Sequence, residues 1–321
     1  MGCVNLFGLT AALRQKIISG LEKSNFGEEE LGIIQALLLG QRHELSKEVY
    51  TNYKNAGAVH ILAVSGLHIG IVLLLLKFLL KPLERLPRGK TIVLIVTLGI
   101  LWGYAFIAGL SPSVIRAVSM FSFVAYALYL NRPTSTYNIL ALSMFFILLS
   151  YDPMLLFQVG FQLSYAAVFS IFWLFPKLQH FWNPENLILK KCWQLLSVSL
   201  AAQIGVLPLS LFYFHQFPGL FFISNLMIIP FLGIILGLGF LVIILVLMDM
   251  LPDTLAEIYN ELIKLMNLVI ERIAQQESFI FKDIPFDSVQ LVLSYFLIIT
   301  TVYSFTDKKF KNILAVALLI I

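Results

Sequence analysis

Four groups of polar side chains interrupt the apolar runs of this sequence. In HILAVSGLHIG, His60, Ser65 and His68 lie close together, with Gly66 and Gly70 beside them. Ser65 and His68 are three residues apart, so a helix would place them on one face. Such a pair could act as nucleophile and base, line a polar path, or satisfy itself inside a helix that its glycines allow to pack closely. Arg116, in PSVIRAVSM, is a single charge within an apolar run. Pro112 suits the first turn of a helix, which leaves the guanidinium about one turn in, either snorkelling to the surface or attracting an anion. FQVGFQLSYAAV carries Gln158, Gln162 and Tyr165, while Phe157, Phe161, Tyr165 and Phe169 recur every fourth residue as an aromatic stripe. That stripe is either packing or a stacking platform. The fourth group holds Gln203, Pro208, His215, Gln216, Asn225 and Pro230. Its two prolines break apolar segments and free backbone carbonyls, a feature of substrate paths in transporters.

These groups matter because of what surrounds them. The chain has 321 residues, 59% hydrophobic and only 12% charged, with a mean hydropathy of +0.89. That balance excludes a disordered chain, a small disulfide scaffold and a soluble enzyme. It describes an integral membrane protein, in which a charge at mid-bilayer costs about 2.5–3.5 kcal/mol on insertion scales and so needs a reason. Cys3 and Cys192 lie far apart and are not expected to pair. No Walker A, HExxH, CxxC or DxD pattern is present, so neither ATP hydrolysis nor metal-dependent hydrolysis is expected, and no cofactor, metal or catalytic residue is assigned. AVSG resembles the GxSG of intramembrane serine proteases, but Ala63 replaces the first glycine.

The elements that must position these groups are all-α. Stretches long enough to cross a ~30 Å hydrocarbon core lie at 60–81, 91–109, 112–130, 135–150, 153–175, 191–214 and 219–247, then 288–305 and a run at 312–321 that the chain end cuts off. Eight to nine transmembrane segments are expected, in what reads as part of a longer polytopic protein. The stretch 219–247 is too long for one span and too short for two, and Pro230, Gly233, Gly237 and Gly239 suggest a broken or re-entrant pair. Residues 1–59 read as amphipathic lead-in helices outside the membrane, ahead of a transmembrane domain at 60–321. The acidic stretch 249–288 holds an amphipathic helix at 252–276, with Leu255, Ile258, Leu262, Leu265, Met266, Val269 and Ile273 on one face. That face suits the outer membrane interface. The basic loop of Lys81, Arg85, Arg88 and Lys90 belongs in the cytoplasm by the positive-inside rule. Alternation then puts Arg132 and the Lys177, Lys190 and Lys191 loop inside, and the HQFP turn at His215 and the lead-in helices outside.

The runs AGAVHILAVSGLHIGIV, PSVIRA, FQVGFQLSYAAV and AAQIGVLPLSLFYFHQFPG with SNLMIIP are similar, in order and spacing, to the ComEC competence-protein family. The resemblance covers roughly residues 32–230 and, more loosely, the remainder. It implies a multi-pass channel in the bacterial inner membrane that passes one strand of incoming DNA during natural transformation. It further implies a DNA receptor outside and a helicase-like ATPase inside. Family members often carry an OB-like domain before this region and a nuclease-like domain after it; neither is visible in these residues. A phosphate chain needs a wet, non-anionic lining with aromatic faces for bases, and the four groups above supply candidates. A small-solute transporter and an intramembrane serine hydrolase using Ser65 and His68 are the alternatives.

Overall fold

The computed structural model describes residues 6–131, 135–150 and 152–306. Arg132, the DKKFK run and the apolar segment 312–321 lie outside the described residues. The chain is built almost wholly of helices: α1 (Leu6–Glu22), α2 (Glu28–Leu39), α3 (Lys47–Asn55), α4 (Gly66–Leu79), α5 (Gly89–Ile107), α6 (Pro112–Tyr129), α7 (Thr136–Ser150), α8 (Val159–Phe181), α9 (Leu187–Phe214), α10 (Phe221–Leu247), α11 (Asp253–Ala274) and α12 (Ser288–Thr306). Among the described residues, α5, α6, α8, α9 and α10 are long and apolar enough to cross a membrane, while α4, α7 and α12 are apolar but shorter. In lipid a helix satisfies its own backbone, which is why apolar composition and helix go together here. The chain divides into two compact units, Met1–Leu156 with Ile223–Glu277, and Phe157–Phe222 with Ser278–Ile321. That division does not follow the compositional boundary at residue 59.

In the first unit α4, α5 and α6 enclose a core of Ile69, Val72, Leu101, Ala105, Val114 and Val118. Local signals set the helix ends. Ser46 caps α3 by accepting the Val49 N–H, Pro112 opens α6, and Gly40, at φ 70°, ends α2 in the left-handed conformation, its N–H on the Ala36 carbonyl and the Gln41 N–H on the Gln35 carbonyl. The span expected from residue 60 begins only at Gly66, because Ser65 caps α4 and the residues before it form turns.

One expectation is corrected. The stretch 219–247 is not a broken or re-entrant pair: α10 runs unbroken from Phe221 to Leu247 with Pro230 inside it. One proline removes one intrahelical hydrogen bond, whereas a full break would strip several backbone groups of partners. Of the two reasons to expect a break, the glycines also fail: Gly233 and Gly237 meet open space, and Gly239 gives close approach to Leu38 and the Tyr259 hydroxyl. In α11 the buried stripe is Ala256, Tyr259, Ile263, Met266, Ile270 and Ile273, packed toward α2 and α3. Ile258 and Leu265, assigned to the apolar face from the sequence, are exposed at 61% and 59%. The helix has two apolar stripes, and Tyr259 draws the other one inward.

The second unit is organised around α8 and α9. A Cβ on Gly205 would lie 2.3 Å from the Ser170 Cβ and 2.8 Å from the Ala166 carbonyl oxygen, so only glycine permits this approach. Phe217–Pro218 (β1) pairs antiparallel with Ile280–Phe281 (β2), and the Phe217 and Phe281 rings stack at 6.3 Å.

Candidate functional site

The segment between α3 and α4 is the centre on which the first unit's polar residues converge. It has no helix of its own, so its carbonyls need partners, and helix-borne hydroxyls supply two of them. Ser224 at the start of α10 donates to the Ala56 carbonyl at 2.7 Å, and Ser113 in the first turn of α6 donates to the Val64 carbonyl at 3.2 Å. The next residue, Ser65, begins α4 with a reciprocal cap: its side chain accepts from the His68 backbone, and the His68 ring faces the Ser65 backbone N–H. His68 Nδ1 lies 3.0 Å from Ser65 Oγ and 3.4 Å from Ser65 N. As an acceptor of these groups Nδ1 leaves the proton on Nε2. That Nε2 is buried and has no protein partner among the described residues, and His68 is fully buried.

Arg116 follows Ser113 by three residues, so both share one face of α6, and the Ser113 bond turns that face toward the start of α4. The arginine is 7% exposed. A snorkelling side chain keeps its charged head at the surface; this one does not. Asn225 adjoins Ser224 on α10 and is also 7% exposed, its Oδ1 buried with no protein partner among the described residues. His60 sits in a turn ahead of this group and is exposed. The first unit thus holds Ser65 and His68 at the start of α4, and buries Arg116 and Asn225 on the two helices whose serines bond the preceding segment, with His60 exposed in that segment. Gly70 allows the approach of α6: a Cβ there would lie 3.1 Å from the Phe121 ring, whereas Gly66 meets open space. Outside the apolar helices, burial pushes the Tyr53 phenol above its ordinary range, which keeps it the donor to Asn267 at 2.9 Å.

The other sequence candidates belong to the second unit. Gln162 accepts the Tyr213 hydroxyl at 2.7 Å, tying α8 to α9. Gln158 is the exposed N-cap residue of α8 and makes no side-chain cap. Tyr165 tilts on Phe161 at 4.5 Å. The aromatic stripe does not form one surface, since Phe161 is buried at 1% while Phe157 and Phe169 are exposed at 69% and 50%. Gln203 is half-buried on α9. Pro208 lies inside α9, and the Gly205 carbonyl close by takes a hydrogen bond from the Tyr295 hydroxyl at 2.9 Å. His215 ends α9 at φ 52°, exposed, with its Nδ1 3.1 Å from the Ile284 carbonyl; Gln216 follows, half-buried. Asn225 and Pro230, grouped with these residues in sequence, fall in the other unit; Pro230 is exposed.

Sequence reasoning missed Ser113, Ser224, Tyr213 and Tyr295. Ser113, Tyr213 and Ser224 lie within segments already singled out and Tyr295 outside them, but which acceptor each hydroxyl reaches is a long-range matter. No cluster of three or more His, Cys, Asp or Glu residues suited to a metal ion occurs among the described residues.

A family model described as Competence protein matches residues 37–308. The chain is 36% identical over 221 residues to ComE operon protein 3 of Bacillus subtilis, covering 68% of this chain and 27% of that protein. It is 27% identical over 229 residues to Recombination protein 2 of Haemophilus influenzae, covering 68% and 29%. To Competence protein ComA of Neisseria gonorrhoeae it is 30% identical over 151 residues, covering 44% and 21%. The chain therefore spans less than a third of these relatives' lengths. No solved structure matches.

Proposed function

Since this chain belongs to the Competence protein family, we propose that it serves DNA uptake as the membrane channel for a single strand crossing the bacterial inner membrane during natural transformation. The observation that carries this reading is the burial of His68, Arg116 and Asn225, with half-buried Ser65, on the apolar helices α4, α6 and α10. A cation and neutral donors at the edge of an apolar bundle suit a polyanion: phosphates meet the guanidinium, and no carboxylate belongs to the group to repel them. The chain works without chemistry of its own, with a DNA receptor outside and a helicase-like ATPase inside supplying capture and energy. Deletion should abolish transformation while DNA still accumulates at the cell surface; transformation at wild-type frequency without the chain would overturn the reading.

The basic loop at residues 81–90 faces the cytoplasm, with α1 to α3 outside. Single cysteines at Arg88 and Glu48, both exposed, in a Cys-free background should respond oppositely to an impermeant thiol reagent, with only Glu48 labelled. Labelling at both positions contradicts this orientation.

The 3.0 Å approach of Ser65 to His68 keeps a second reading open, an intramembrane serine hydrolase. The reciprocal cap accounts for the same contact without a nucleophile, because Nδ1 is engaged by the backbone as well. Reaction of Ser65 with a serine-directed phosphonate would favour the hydrolase; an unlabelled serine favours the channel.

A further inference from the structure

The C-terminal end of α4 carries a notch of about 290 Å³ lined by Leu74, Lys77, Phe78, Lys81 and Glu84. Residues 74, 77, 78 and 81 are spaced to share one helical face. The short 3-10 turn Lys81–Arg85 continues from them and places Glu84 in the wall. The opposite face of α4, with Ile69, Val72 and Leu76, is buried in the core, so the notch faces outward from its own unit. Leu74 and Phe78 are exposed at 68% and 76%, and in a membrane chain such surface meets acyl chains. The two lysines stand where that apolar face stops, at a helix C-terminus that favours cations.

We propose that this notch binds an anionic phospholipid whose headgroup carries free hydroxyls, the phosphatidylglycerol class, independently of any role in DNA uptake. The phosphate lies between the Lys77 and Lys81 ammoniums, and the acyl chain runs along Leu74 and Phe78. The Glu84 carboxylate accepts a headgroup hydroxyl, since a carboxylate offers only acceptors; the same charge disfavours phosphatidic acid, which has no hydroxyl to donate beyond its phosphate. Simple snorkelling of the lysines would give attraction to negative charge without headgroup preference.

The test is lipid binding to the purified full chain in detergent, followed by native mass spectrometry during titration with phosphatidylglycerol, phosphatidic acid or phosphatidylcholine. Phosphatidylglycerol should bind best, and soluble glycerol 3-phosphate should not displace it. Lys77→Gln with Lys81→Gln should weaken phosphatidylglycerol binding about tenfold, while Arg85→Gln with Arg88→Gln, an equal loss of charge outside the notch, should weaken it by less than about twofold. Glu84→Gln should narrow the preference over phosphatidic acid. Equal losses for the two double variants, no preference among lipids, displacement by glycerol 3-phosphate, or an unchanged preference in Glu84→Gln would each overturn the proposal. All five positions are exposed, and size-exclusion profiles check that the variants fold.

Discussion

The two compact units treat their buried polar groups in opposite ways. In the second, hydroxyls close on carbonyls and amides between helices: Ser170 on Ala201, Tyr213 on Gln162, Tyr295 on Gly205. The indole N–H of Trp193 and the hydroxyl of Ser197 are the exceptions there. In the first, the hydroxyls of Ser113 and Ser224 hold the α3 to α4 segment in place. Yet His68 Nε2, Ser119 Oγ and Asn225 Oδ1 are buried without protein partners among the described residues. A closed polar seam ties helices together, whereas donors and acceptors left over inside an apolar bundle cost free energy and mark a place built for something else. The first unit thus carries more of the buried polar atoms without protein partners, whereas hydroxyl contacts tie α8, α9 and α12 together.

The largest effect should come from the first unit. If Arg116 meets passing phosphates, Arg116→Gln removes a charge-assisted contact worth roughly 3 kcal/mol, about a hundredfold in transformation frequency at normal membrane abundance. Arg116→Lys should keep part of it, because a point charge still attracts phosphate. Near wild-type frequency for Gln would erase the distinction between the units. Next comes a framework change: Gly205→Leu forces a side chain into Ser170 and the Ala166 carbonyl. It should destabilise the second unit by about 1–3 kcal/mol, seen as a lower thermal midpoint and lower abundance, with uptake per surviving molecule little altered.

Ser65→Ala comes third. It removes one half of the α4 cap, a loss of about 1 kcal/mol, and should lower thermal stability while sparing much of the uptake; complete loss with normal abundance would revive the hydrolase. The smallest change is Tyr213→Phe, which deletes one interhelical hydrogen bond worth about 0.6 kcal/mol in membrane helices. A transformation defect larger than its stability defect would move Gln162 and Tyr213 from framework to DNA path.

The contrast between the units was not legible in the sequence, which grouped Asn225 with residues of the other unit; other features were, and the reasons differ by residue. Membrane character and the all-α class follow from composition, and the start of α6 from Pro112. The Ser65 and His68 pair was legible because it is local, three residues apart on one turn. The convergence of Ser113, Ser224 and Asn225 on one linker was not, since it depends on helices far apart in sequence. Pro230 misled because a proline in a long apolar helix costs one hydrogen bond, less than the break it seemed to announce. In α11 two apolar stripes competed, and hydropathy alone does not tell which one Tyr259 takes inward.

The most direct test follows labelled transforming DNA into cells and separates the surface-bound fraction from the nuclease-protected single strands inside. With Arg116→Gln present in the membrane at normal level, the surface fraction should match wild type and the internal single-stranded pool should be lost. An internal pool equal to wild type, at equal protein abundance, would contradict a DNA path past the Ser65, His68, Arg116 and Asn225 group.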